Sequence, residues 1–290
     1  MEYITILIQA IVQGLTEFIP VSSSGHLSVA QHFMSIEDHG LTISIVLHAG
    51  TLVSIFIAFR QAVYGIIREF FLSIVDIFTL KFSWSDMNDD RRMLFMVIIG
   101  TACLIPASFF SSFFTAPIGD GDIIFEGVAF TFTAMLLFLA DTCVKGIKQG
   151  SDMRVKDALL VGFFQVVALF PGISRSGSTI SVGLFRGLSR KTAVTFSFLL
   201  GIPAIAGGTL LEGIELAQAY RDGVSDSLNW GALTLGFFVA MIVGLMAIKL
   251  VKYVVKKEKF KIFAIYVMTL GILCVIWGVF ENITGITVRL

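Results

Sequence analysis

The sequence predicts an all-α polytopic membrane protein with six full transmembrane helices. Two re-entrant helical hairpins in an inverted-topology repeat and one interfacial amphipathic helix complete the expected fold. Three observations lead there. The 290 residues are 56% hydrophobic and 14% charged, with a mean hydropathy of +0.89, which lies outside the soluble globular range. Apolar runs of the length a bilayer demands, about 20 helical residues for a core of ~30 Å, recur along the chain. Two polar, serine-rich clusters, Gln13–His26 and Pro171–Thr179, interrupt stretches that otherwise read as membrane. A formal net charge of zero argues against a nucleic-acid partner. Residues 1–290 read as a single integral membrane domain.

From Ile4 to about Leu27 the chain is first apolar and is then broken by Pro20 and the serines. Leu27–Met34 reads as a short return helix, giving a re-entrant hairpin at about 4–34. Non-helical backbone at membrane depth survives only when buried in protein or lining a cavity. Continuous spans are expected at Leu41–Phe59, Met93–Phe114 and Ile123–Cys143. Between the first two, Ala62–Leu80 mixes Arg68, Glu69 and Asp76 with Tyr64, Phe70, Phe71 and Phe78, the pattern of a helix lying in the interface. Val155–Phe170 runs into Pro171-Gly172, and Ile180–Leu188 returns, a second hairpin at about 155–188. Spans at Thr192–Leu211, Trp230–Val255 and Phe260–Phe280 close the chain. Residues 1–143 and 144–290 are then the two repeats.

Basic residues test this layout, because they concentrate on cytoplasmic loops. With both termini outside, 18 of the 21 lysines and arginines fall on inside loops. Arg221 and Arg289 stay outside, and Arg175 sits in the second cluster. The outside loops are acidic, with Glu37, Asp38, Asp120, Asp122, Glu212, Glu215, Asp222 and Asp226. Making either hairpin a full span would switch every later loop and destroy the bias. A repeat is also traced by spacing: Gln13, Ser22, Ser24 and Gly25 match Gln165, Ser174, Ser176 and Gly177. Cys103, Cys143 and Cys274 are isolated and odd in number, so neither a disulfide nor a zinc site is expected. Glu2 stands where a basic leader region would be and no small-residue cleavage site follows, so no cleavable signal is expected.

The two clusters carry the chemistry. Helices that end at mid-membrane present free N–H groups and a positive dipole end. With Gly25 and Gly177 allowing close backbone approach, these form anion sites. The serine and threonine hydroxyls add donors, and Arg175 adds a planar fork suited to phosphate. Gln13 and Glu17 lie four apart, on one helical face, where their oxygens suit a hard divalent cation. His26 is a candidate general acid or base. The inventory fits phosphoryl transfer, which depends on positioning and charge stabilisation. Blander readings stand beside these: serines after a proline also cap helix ends, and a structural ion pair is the lesser reading of Glu17 with Arg175, since ionisable groups within a membrane are functional by default. His48 reads as a packing residue, Asp141 as a solvated span end and Glu126 as interfacial.

At these residues the chain resembles the bacterial undecaprenyl-pyrophosphate phosphatase family of the BacA/UppP type. Its first motif, (Glu/Gln)-x-x-x-Glu, is matched by Gln13 to Glu17 and continues through Pro20-Val21-Ser22-Ser23-Ser24-Gly25-His26. Its second, Pro-Gly-x-Ser-Arg-Ser-x-x-Thr, is matched by Pro171 through Thr179. The likeness extends to Leu47–Thr51, Leu139–Asp141 and Ser197–Pro203. The resemblance implies hydrolysis of a C55 polyprenyl diphosphate to its monophosphate at the outer face of the bacterial plasma membrane. That step recycles the wall-polymer carrier and confers bacitracin resistance. It implies a need for Mg²⁺ or Ca²⁺, held by Glu17 with Gln13, and a diphosphate clamp by Arg175. Ser22, Ser24, Gly25, Ser174, Ser176, Gly177 and Thr179 would support the phosphates. Ser23 has the nucleophile's position with His26 as its partner, while a metal-activated water or His26 itself stays open as the attacking group. The partners implied are the polyprenyl diphosphate and membrane lipid; whether the chain forms a homodimer stays open. The rival from another class is a secondary transporter or lipid flippase on the same repeat.

Overall fold

The computed structural model describes residues 2–34, 40–110, 113–114, 123–143, 145–222, 229–257 and 259–285. Glu37, Asp38, Asp120, Asp122, Asp226 and Arg289, used above to orient the chain, lie outside them. Among the described residues all extended regular structure is helical, apart from an isolated parallel bridge between Lys148 and Leu188. Six stretches are long and apolar enough to cross a membrane. They are α3 (Gly40–Ala58), α5 (Asp89–Ala102) continued by α6 (Leu104–Ser108), α7 (Ile124–Thr142), α10 (Arg190–Arg221), α11 (Trp230–Lys256) and α12 (Lys261–Thr284).

Four helices are too short to span. These are α1 (Glu2–Thr16) with α2 (Ser23–Met34), and α8 (Val155–Val167) with α9 (Arg175–Phe185). The longest has 15 residues, ~22 Å at 1.5 Å per residue, against ~30 Å of hydrocarbon. The α8–α9 pair is tied where it opens. Asp157, at the start of α8, accepts from Arg186 Nε at 2.7 Å at the end of α9, and from Lys148 Nζ at 3.3 Å. The start of α8 and the end of α9 therefore lie side by side. Helix packing is reciprocal: α1 lies on α11 and α8 on α5, α3 on α11 and α10 on α5, while α3 packs on α10 and α7 on α12. Gly127 and Gly271 let α7 and α12 approach closely, since a Cβ on either would meet the other's carbonyl oxygen at 2.7 Å.

Capping accounts for where the observed boundaries differ from those expected. Asn88 Oδ1 accepts from Arg91 N at 2.8 Å, so α5 starts at Asp89 rather than Met93, and the helix breaks at Cys103 before Pro106. Ser174 Oγ caps α9, which begins at Arg175 rather than Ile180. Helix α10 continues ten residues beyond the expected Leu211, to Arg221.

Helix α4 (Arg60–Phe78) turns Glu69 and Ser73 inward. Glu69 is buried and accepts from Arg91 Nε at 2.8 Å and Asn88 Nδ2 at 3.0 Å, while Arg91 Nη1 reaches Asp76 at 2.7 Å. Tyr64, Phe71 and Phe78 face outward. An apolar exterior held on by an internal ion-pair network is the arrangement a lipid environment favours. Burial pushes the Glu69 carboxyl up, but hydrogen bonds from Asn88 and Arg91 and the charges of Arg91 and Arg68 outweigh it, and the group sits below its ordinary 4.5. The stabilisation is therefore fully present above that value and falls away as the pH drops through the lowered one. Arg91→Ala, which strands two carboxylates, is expected to cost about 3–5 kcal/mol in thermal or denaturant unfolding, and adding Glu69→Ala should recover part of it. An unchanged midpoint in Arg91→Ala would show that the network does not hold α4.

Candidate active site

Glu17 N donates to Gln13 O at 3.0 Å, so the helical turn of α1 persists one residue past Thr16 and stacks Gln13 above Glu17. The chain then reverses at Ile19–Ser22, and Ser22 takes a left-handed φ of 74°, rare for a residue with a Cβ. Ser22 Oγ accepts from Gly25 N at 3.3 Å and caps α2. The second cluster repeats the device: Gly172 turns at φ 83°, and Ser174 Oγ accepts from Gly177 N at 3.0 Å. Ser22–Ser24 and Ser174–Ser176 hydroxyl pairs lie 3.3 Å apart in both.

The two reversals clasp each other. Gly172 N donates to Ser24 Oγ at 3.4 Å, and Ser176 Oγ donates to Ile19 O at 3.4 Å. A Cβ on Gly25 would meet Gly172 Cα at 2.9 Å, so the backbones come this close because Gly25 has no side chain. This clasp brings the N-termini of α2 and α9 together, two positive helix ends at one place.

Glu17 is the hub. Its Oε1 accepts from Arg175 Nη2 at 2.8 Å, and its Oε2 from Ser23 Oγ at 2.8 Å and Gln13 Nε2 at 3.1 Å. Three polar groups around it are buried with no hydrogen-bond partner among the described residues: Gln13 Oε1, Arg175 Nη1 and the whole amide of Gln165. Orphaned groups of this kind cost about 1–3 kcal/mol each, and three in one place mark where a polar ligand completes the bonding. Arg175 and Gln165 line a cavity of about 190 Å³ with His48, Thr209 and Glu212. Ser44 Oγ donates to Glu212 at 3.1 Å, and His48 Nδ1 bonds to Ser44 O at 3.0 Å.

Not every expected site residue gathers there. His26 is held elsewhere: Ser22 O, which only accepts, takes its Nδ1–H at 2.7 Å, leaving Nε2 to accept from Tyr266 OH at 2.9 Å. Its ring stacks on Tyr266 and meets the edge of Phe130, while Ser23 turns to Glu17. Thr179 is buried and bonded to Ser197 Oγ at 2.6 Å, joining α9 to α10. Glu126 is a correction. It is only 2% exposed, not interfacial, and accepts from Ser28 Oγ at 2.8 Å because α2 packs over it. Asp141 faces Arg190 at 3.7 Å rather than standing solvated. Gln165, His48 and Glu212 were not read as site residues; the spacing match of Gln165 to Gln13 is the signal that points to the first.

Gly201 on α10 sets the guanidinium's place. A Cβ there would run into Arg175 Nη1, the mobile end of a side chain, so Gly201→Ala moves Arg175 without disturbing the backbone. Turnover is expected to fall about 10–100-fold, the usual effect of a displacement near 1 Å, with the unfolding midpoint nearly unchanged. Normal turnover would show that Arg175 need not sit on Glu17.

Comparison with known proteins shows the family. The sequence profile described as "Bacitracin resistance protein BacA" matches residues 6–273. An undecaprenyl-diphosphatase of Alkaliphilus metalliredigens is 39% identical over 277 residues, covering 94% of this chain and 97% of the relative. Undecaprenyl-diphosphatase 3 of Bacillus cereus is 36% identical over 94% of this chain and 96% of its own. An undecaprenyl-diphosphatase of Methanosphaera stadtmanae is 35% identical over 96% and 99%. The match runs through both serine reversals, the first five membrane-length helices and the first half of α12, and the chain belongs to the bacitracin resistance protein BacA family.

Proposed function

We propose that the chain is an undecaprenyl-diphosphatase, a multi-pass membrane enzyme that hydrolyses undecaprenyl diphosphate to undecaprenyl phosphate and inorganic phosphate. One observation carries it: the Glu17–Arg175–Ser23 cluster, formed where two helix N-termini meet, in a chain of this family. The orphaned Arg175 Nη1 and Gln165 amide are donors for phosphate oxygens, and the N-termini of α2 and α9 add their dipoles. Ser23 is the attacking group the hydrogen bonding supports, since its hydroxyl proton already has an acceptor in Glu17 at 2.8 Å. Attack on the terminal phosphorus forms an Oγ–P bond and releases the lipid monophosphate, and water then frees the phosphate. His26, bonded on both ring nitrogens away from Ser23, orients the first turn of α2 in this reading.

Glu17 and Gln13, whose Oε1 is buried without a partner among the described residues, are hard oxygen donors that would hold Mg²⁺ or Ca²⁺. When bound, such an ion neutralises charge on the diphosphate. In this reading the polyprenyl tail stays in lipid, and the headgroup enters through the 190 Å³ cavity that Arg175 and Gln165 line.

The α1–α2 and α8–α9 hairpins are re-entrant in this reading, and the halves 1–143 and 144–290 are inverted repeats. Their short arms, the duplicated serine caps and the reciprocal helix packing support it. The protein sits in the plasma membrane with both termini and the catalytic cavity outside, and α4 lies in the interface. Cysteines introduced at Lys256 and Asp222 should label from opposite faces; same-face labelling contradicts this orientation. A transporter on the same repeat leaves the Ser23–Glu17 bond without a role. The test is phosphate release from undecaprenyl diphosphate by purified protein with Mg²⁺ or Ca²⁺. No release with either ion overturns the enzyme reading, and release that survives Ser23→Ala moves the attack to water or His26.

A further inference from the structure

A second cavity, about 1050 Å³, opens near the first turns of α10, whereas the catalytic cavity touches that helix at Ala204–Glu212. From Arg190 to Glu212 is 22 residues, ~33 Å of helix, so the two openings belong to opposite ends of the bundle. Phe59, in the wall of the larger cavity, packs on Phe198 at 5.1 Å between centroids, and Phe198 packs on Phe18 at 5.7 Å. The two cavities share no lining residue.

Six cations line it: Arg60, Lys145, Arg190, Lys191, Lys252 and Lys256. Two carboxylates, Asp89 and Asp90, oppose them, so cations outnumber anions three to one along the lining, and Asp89 already accepts from the Ser151 backbone N–H. Basic residues at one end of a membrane bundle are expected from topology alone, and such residues would extend into water. Two of these do otherwise. Arg190 Nη1 is buried with no hydrogen-bond acceptor among the described residues; its nearest carboxylate oxygen, on Asp141, is 3.7 Å away and equally without a partner. Lys252 Nζ folds back over the Phe59 ring, 3.7 Å from its centroid, and donates to Ala58 O at 2.8 Å. One ammonium and one guanidinium are thus held at the wall of a cavity whose floor, Phe59, Leu199 and Val255, is apolar.

We propose that this cavity is a second anion site that takes a phosphate monoester, bound by Arg190 and Lys252. Arg190 supplies the planar fork that matches phosphate oxygens, and Lys252 supplies a point charge with a donor to spare. The exposed Lys191 and Lys256 at the rim draw the dianion in. The volume exceeds that of free phosphate several-fold, and the apolar floor suits the first carbons of an attached chain.

The test uses full-length protein in phosphatidylcholine nanodiscs, titrated in parallel with inorganic phosphate and with short-chain phosphatidic acid, and read by ³¹P line broadening and native mass spectrometry. Binding is expected to weaken at least tenfold in Arg190→Gln/Lys252→Met and to persist in Arg175→Lys, whose lesion is in the catalytic cavity. Phosphate release from undecaprenyl diphosphate by Arg190→Gln/Lys252→Met should stay within twofold of the parent. A milder pair at exposed positions, Lys191→Gln/Lys256→Gln, guards against misfolding and should weaken binding about threefold. Binding of both probes identifies the free anion as sufficient; binding of phosphatidic acid alone identifies a lipid headgroup. Binding of neither, binding untouched in both variant pairs, or binding abolished in Arg175→Lys overturns the proposal.

Discussion

Glu17→Gln is expected to lower kcat for phosphate release by about 10³-fold while the protein still folds. The carboxylate accepts three hydrogen bonds, from Arg175, Ser23 and Gln13, and no other carboxylate is shown bonded to any of them. An amide keeps the shape and one acceptor oxygen for Arg175 but removes the charge. Ser23 then loses the acceptor that orients it, and the proposed Mg²⁺ or Ca²⁺ site loses its carboxylate. Removing one electrostatic stabiliser of a transition state typically costs about 10²–10³ in kcat. Here orientation and charge are lost together, which sets the upper figure. The buried guanidinium also loses its countercharge, at about 3–5 kcal/mol of stability, so the unfolding midpoint should fall. The variant should therefore be assayed well below its new midpoint. Near-parental kcat with a lowered midpoint would make Glu17 a structural ion-pair residue and nothing more.

Arg175→Lys is expected to lower turnover about 10²-fold or more, although the positive charge remains. The guanidinium points two ways, Nη2 on Glu17 and Nη1 buried beside Gly201 without a partner among the described residues. A single ammonium cannot hold both directions, because its donors radiate from one atom while the arginine fork is planar and fixed. A lysine would keep its pairing with Glu17 and no longer reach the phosphate. The effect should appear in kcat more than in KM if the phosphate interaction strengthens as charge moves to the leaving oxygen. Activity within a few-fold of the parent would assign Arg175 to charge balance alone.

Much of this was legible before any coordinates, for physical reasons. Polar residues in apolar segments are expensive, so the Gln13–His26 and Pro171–Thr179 runs stood out, and the structure joins them through Ser24–Gly172 and Ser176–Ile19. The spacing shared by Ser22, Ser24, Gly25 and Ser174, Ser176, Gly177 reappears as the same cap and the same hydroxyl pair. The direction a side chain takes was less legible. Composition marked α4 as amphipathic but did not say that Glu69 turns inward to Arg91 while the aromatics face out. Glu126 looked interfacial because burial by α2 depends on how a hairpin folds back, bringing in a residue nearly a hundred positions away in sequence. Gln165 carried only its spacing, since an amide with no partner is visible only when its surroundings are. His26 sits three residues from Ser23, yet helix geometry and Tyr266, 240 positions further on, take its ring elsewhere.

The central claim is that the two serine reversals build one catalytic site. A double-mutant cycle on phosphate release, with Glu17→Gln, Arg175→Lys and the pair, tests it most directly. Residues 2.8 Å apart serving one phosphoryl group should be strongly coupled. The double variant should be about as slow as Glu17→Gln alone, near 10³-fold below the parent. If the two losses instead multiply, to about 10⁵-fold, Glu17 and Arg175 act independently and the composite site is wrong.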